Sequence, residues 1–153
     1  MDHHYAVEVE WLGNRGTGTS GYREYSRTNA VTAPGKTHAI EGSADRAFHG
    51  EAERWNPEEL LLAALSQCHM LSYLHVAVQH GIVVTDYRDS AVGVMAQEGQ
   101  GGRFASATLR PVVTIAAGDP ELAARIHEEA SRLCFIASSV AFPVGHEPVI
   151  LTA

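Results

Sequence analysis

Two cysteines, Cys68 and Cys134, are the residues whose type and placement could do covalent chemistry. Each falls in its own apolar, helix-patterned segment. A thiol attacks an electrophile only as thiolate. Two thiols brought together can then pass through a sulfenic acid and a disulfide and return to thiols by exchange. The competing reading is that both are small core hydrophobes, a common fate of free Cys. Pattern alone does not choose between them. The nine histidines invite a metal, but His69 and His75 do not share a helical face, and His75 and His80 share one poorly. Neither spacing is the i, i+4 pair of a zinc helix, so structural histidines, no metal and no cofactor are expected. Gly16-Thr17-Gly18-Thr19-Ser20-Gly21 fits a dinucleotide fingerprint by letter. The run after it, Tyr22 to Arg27, opens no apolar helical stripe, so a glycine-rich hairpin loop is predicted instead.

The elements that would position the cysteines come next. Tyr5, Val7, Val9 and Trp11 alternate with Glu8 and Glu10 and predict a half-buried strand. Tyr22 to Val31 reads as a second strand, and residues 37–55 as a short strand and a loop. Asn56-Pro57-Glu58-Glu59 starts a helix: Asn at the N-cap, Pro first, and acids on the positive end of the dipole. It runs to His80, with Gly81 as its stop. Its predicted stripe is Leu61, Leu65, Cys68, Ser72, Val76 and Gln79. Ile82 to Ala96 and Phe104 to Ile115 read as two strands about a turn at Gly99-Gln100-Gly101-Gly102. Asp119-Pro120 starts a second helix, with Leu122, Ile126, Ala130, Leu133, Cys134 and Ala137 on one side and its end near Phe142-Pro143. Val149 to Thr152 closes the chain as a strand. This order predicts an α+β fold, an antiparallel sheet with two long helices, and one domain over residues 1–153.

Composition narrows the function classes. The chain has 153 residues, 45% hydrophobic and 19% charged, with a net charge of −7. A disordered chain is excluded. The negative charge argues against nucleic-acid and anionic-membrane partners. The N-terminal residues have no signal-peptide pattern. The longest apolar segment, Leu60 to Val78, is broken by Ser66, Gln67, His69, Ser72 and His75. A cytoplasmic protein with reduced thiols is therefore expected.

The run Asn56-Pro57-Glu58-Glu59-Leu60-Leu61-Leu62-Ala63-Ala64-Leu65-Ser66-Gln67-Cys68-His69 resembles the signature of the OsmC/Ohr family of thiol-dependent peroxidases. Cys134 matches the family's second cysteine, although Phe135 follows it where the family often has Pro. The resemblance implies an intertwined homodimer that reduces organic hydroperoxides in oxidative-stress defence. In it Cys68 is the peroxidatic thiol, Cys134 the resolving thiol and Glu58 the acidic partner of an Arg. That Arg is Arg46 by one subgroup's pattern, with Arg54 second. By the other subgroup's pattern it is Arg23 or Arg27. The implied reductant is a lipoyl-type dithiol.

These roles have physical requirements. Cys68 would sit about three turns into its helix, beyond the reach of the dipole. A fixed positive charge must then hold the thiolate, and Arg suits because it stays protonated and donates through a planar fork. Glu58 can orient that Arg. Glu58 and Cys68 would stand about 15 Å apart along a continuous helix at 1.5 Å per residue. Either an extended Arg spans that gap or a partner subunit supplies Glu58, which again points to a homodimer. Two other classes stay open: a non-catalytic relative that binds a hydrophobic small molecule or senses redox state, and a Cys-dependent hydrolase with a His base.

Overall fold

Glycine-rich turns shape the N-terminal strands. The computed structural model describes residues 1–153, which form two units, Met1–Leu60 and Leu61–Ala153. In the first, β1 (Glu8–Trp11), β2 (Asn29–Thr32) and β3 (Ile40–Gly42) make an antiparallel sheet in that order. The loop between β1 and β2 is the predicted glycine-rich hairpin loop, followed by a turn and a strand rather than a helix. Asn14 Oδ1 accepts from the Gly16 and Gly18 N–H groups at 2.9 and 3.0 Å, and both glycines have positive φ, 116° and 57°. Side chains are disfavoured there. The second strand is shorter than predicted because Tyr22 lies in the turn that follows Gly21. The first strand is not half-buried: all four residues of β1 are exposed. Alternation identified the strand but could not identify what covers it. A short 3₁₀ turn, Arg46–Phe48, follows β3, and the Asp45 carboxylate caps it by accepting from the Ala47 N–H at 2.7 Å.

Helix α1 (Pro57–Gln79) begins in this unit and continues into the second. Its start is a closed capping box: Asn56 Oδ1 accepts from the Glu59 N–H at 2.8 Å, and Glu59 Oε1 accepts from the Asn56 N–H at 3.3 Å. This satisfies two donors that an uncapped helix would leave free. At the other end Gly81 takes φ 69° and stops the helix as expected.

The two long strands predicted after α1 each break in the middle. β4 (Val83–Asp89) and β5 (Val92–Glu98) come from the first, β6 (Gly101–Leu109) and β7 (Pro111–Ala117) from the second. β5 pairs with β6 and β4 with β7, both antiparallel, but in separate sheets. The break at Arg110 has two causes, one local and one distant in sequence. Pro111 has no N–H to donate, and Asp89 Oδ1 takes the Arg110 N–H at 2.6 Å, away from any ladder. β8 (Val144–His146) and β9 (Val149–Thr152) then add to β6 and β7 in parallel, so the sheets are mixed rather than purely antiparallel. α2 (Pro120–Leu133) is capped by Asp119. It ends at Leu133, not near Phe142-Pro143; a 3₁₀ turn, Ala137–Ser139, follows it. The fold is α+β. The core of the second unit joins Tyr73, Val76 and Ala77 of α1, Ile82 just before β4, Val113 and Ile115 of β7, and Ala123, Ile126 and Ala130 of α2.

Candidate redox site

The buried line of α1 in the second unit runs through Leu65, His69, Tyr73, Val76 and Ala77. The predicted stripe shared only Leu65 and Val76 with it. Cys68 therefore stands on the flank of the helix and is half-buried. Cys134 is 1% exposed. It is the C-cap of α2, continuing a buried row made by Ala123, Ile126, His127 and Ala130. The chain turns around its sulfur: the Ala137 N–H donates to Cys134 Sγ at 3.4 Å and the Ser138 N–H to the Cys134 carbonyl at 3.1 Å. Phe135, next in sequence, is 73% exposed and leaves the sulfur's surroundings to others.

Both cysteines are free thiols, and the fold brings them close enough to act on each other. Burial pushes the Cys134 thiol up to about 11, against the pull of the Ala137 N–H; the neighbouring Cys68 sulfur pushes it further up. Cys134 accordingly keeps its proton at neutral pH. The arrangement has one half-buried sulfur and one buried protonated sulfur as neighbours. That is what condensation of a sulfenic acid with a second thiol requires.

The other predicted residues lie in the first unit. Arg46 and Glu58 line one cavity of about 520 Å³, together with Arg54, Asn56 and Glu59. Arg46 is exposed on its 3₁₀ turn. Arg54 Nη1 donates to the Asn29 carbonyl at 3.4 Å. Arg27 is committed to its own hairpin: it donates to the Tyr22 and Tyr25 carbonyls at 2.6 and 2.9 Å and lies 4.0 Å over the Tyr25 ring. The Arg23 carbonyl accepts from Arg15 at 3.3 Å.

Sequence reasoning missed a group of histidines in the second unit. His69 Nε2 and His127 Nδ1 are 3.0 Å apart. The His146 ring centroid lies 4.5 Å from that of His69, and Tyr73 stacks on His127 at 4.0 Å. Burial drives His69 down to about 4, aided by His146, and His127 down to about 3, aided by His69 and His146. His146 is lowered by burial against the opposing pull of Asp89. The signal was present: His69 is four residues from both Leu65 and Tyr73, so it belongs to their face.

A family model described as OsmC-like protein matches residues 50–147. An uncharacterized protein of Bacillus subtilis, YmaD, is 24% identical over 146 residues, covering 91% of this chain and 87% of its own. Among solved structures, an OsmC-like protein of unknown function from Vibrio cholerae is 28% identical with a TM-score of 0.86, covering 97% of this chain and all of its own. An organic hydroperoxide resistance protein from Elizabethkingia anophelis has a TM-score of 0.69 at 17% identity over the full length of both chains. That likeness is one of fold. With the family model covering well over half of its residues, the chain belongs to the OsmC-like protein family.

Proposed function

We propose that the protein is a thiol-dependent peroxidase that reduces organic hydroperoxides, in a family with members called organic hydroperoxide resistance proteins. The observation that carries this reading is the proximity of half-buried Cys68 to buried, protonated Cys134. Cys68 thiolate attacks the peroxide oxygen, breaks the O–O bond and becomes a sulfenic acid, while the alkoxide leaves and takes a proton as alcohol. The Cys134 thiol then displaces water from the sulfenic acid and forms the Cys68–Cys134 disulfide. A dithiol of lipoyl type donates two electrons and two protons and restores both thiols. Arg46 is the proposed source of positive charge for the thiolate, with Glu58, which lines the same cavity, as its proposed acidic partner. The proposed assembly is a homodimer. The exposed apolar side chains Val9 and Trp11 on β1 and Leu71 and Val78 on α1 support it, since such surface on a stable protein commonly meets a partner. The proposed compartment is the cytoplasm, where the disulfide would be transient.

The test is consumption of cumene hydroperoxide with a dithiol reductant, for wild type and two variants. Cys68→Ser should abolish turnover. Cys134→Ser should consume one equivalent and then stall. Full activity in Cys68→Ser would end the reading.

A further inference from the structure

The histidines described above take no part in that reaction, yet two of them join the helices that carry the cysteines. His69 directly follows Cys68 on α1. His127 stands on the α2 row that ends at Cys134. Their 3.0 Å contact is a single hydrogen bond between neutral rings, one nitrogen donating and the other accepting. Both rings are buried, at 1% and 2% exposure. Their outer nitrogens, His69 Nδ1 and His127 Nε2, find no partner. The groups facing the pair are Tyr73 from α1, His146 from β8, and Tyr87 of β4 behind Tyr73. Asp89 of β4 acts on His146.

Two buried imidazoles with two unmatched nitrogens are a poor way to add stability; an apolar pair of similar volume would avoid the desolvation cost. What the pair supplies is register. The apolar neighbours Val76, Ala77, Ala123, Ile126 and Ala130 would tolerate a small slide of one helix along the other. The imidazoles would not, because a slide leaves four buried nitrogens unmatched in place of two. We propose that the His69–His127 hydrogen bond is a positioning clamp that fixes the register of α1 against α2 and so holds Cys68 against Cys134. The inference rests on the reading that these two cysteines pair during turnover.

The experiment is redox equilibrium with glutathione, which involves no peroxide. Cys68 and Cys134 together give two electrons and two protons to one oxidised glutathione, yielding the protein disulfide and two reduced glutathiones. The equilibrium constant measures how well the fold pre-positions the pair. The δ-amide of Asn occupies the place of the His Nδ1, whereas the ε-amide of Gln occupies that of Nε2. His127→Asn should therefore hold the constant within about threefold, and His127→Gln and His127→Leu should lower it by about tenfold or more, as lost proximity does. Tyr73→Phe removes another tie between the helices, the Tyr73 hydroxyl donating to the Ala123 carbonyl at 2.9 Å, and should leave the constant unchanged. If His127→Leu does not fold, the Asn and Gln pair still decides the matter. A wild-type constant in His127→Gln overturns the clamp, as does an equal drop in Tyr73→Phe. A wild-type protein that forms no such disulfide overturns both the clamp and the peroxidase reading; one that forms it while the variants match it overturns the clamp alone.

Discussion

Two polar clusters, one in each unit, respond to burial in opposite ways. In the first unit Glu51 accepts from the buried Ser43 and Ser26 hydroxyls, the latter at 2.8 Å, and its own N–H donates to Ser43 Oγ at 3.1 Å. Chiefly through Ser43, the Glu51 carboxyl is held below its ordinary range despite some burial. In the second unit the imidazoles of His69, His127 and His146 are lowered as well, but burial is the main cause. The same direction means opposite charge: Glu51 is kept ionised and the histidines are kept neutral. Hydrogen bonds aimed at a charged form stabilise it, while desolvation without a partner removes it. The first cluster is a satisfied anion and the second an unsatisfied neutral pair.

Acid separates them with the largest effect. His69 and His127 have folded values near 4 and 3 against about 6.5 unfolded. The unfolded state binds their protons first, so stability is complete above pH 6.5 and falls as pH drops below it. The two together should lose roughly 4 kcal/mol between pH 8 and pH 5, measured by urea unfolding at each pH. Glu51 has the opposite sign relative to its charge: its contribution persists through this window and fades only below the ordinary carboxylate range. A flat profile from pH 8 to pH 5 would mean the imidazoles are not neutral in the folded state. Glu51→Ala is next, with about 2 kcal/mol expected because Ser26 and Ser43 lose their acceptor; a loss under a few tenths would make the anion incidental. Tyr73→Phe should cost about 1 kcal/mol through the unpaired Ala123 carbonyl, read from the same unfolding curves. The smallest effect belongs to a polar contact of neither kind. Arg110 and Glu147 pair at 3.1 Å on the surface, and Arg110→Ala should change stability by less than about 0.5 kcal/mol.

The cap of α1 was legible because all its parts are neighbours in sequence. Asn56, Pro57 and Glu59 close the capping box whatever else the chain does. Gly81 is likewise a local stop. The strand breaks at Ser90 and Arg110 were not legible, because the Asp89 side chain that takes the Arg110 N–H comes from far along the chain. The buried face of α1 was misread by one position: Cys68 and His69 both fit a row through Leu65 by spacing, and the row through Tyr73 that points to His69 is the one packing buries. β8 is three residues long and exists through its pairing with β6.

By itself the sequence determined which residues could do chemistry, where the long helices start, and which family signature surrounds Cys68. Those are local properties: side-chain type, capping and spacing. The tertiary structure alone decided that Cys68 lies near Cys134, that Cys134 stays protonated, and that His69 bonds His127. Such contacts join residues distant in sequence, and their character depends on how much water the packed neighbours exclude. Arg46 and Glu58 share a cavity for the same reason: the chain between them folds back through the 3₁₀ turn before α1 begins.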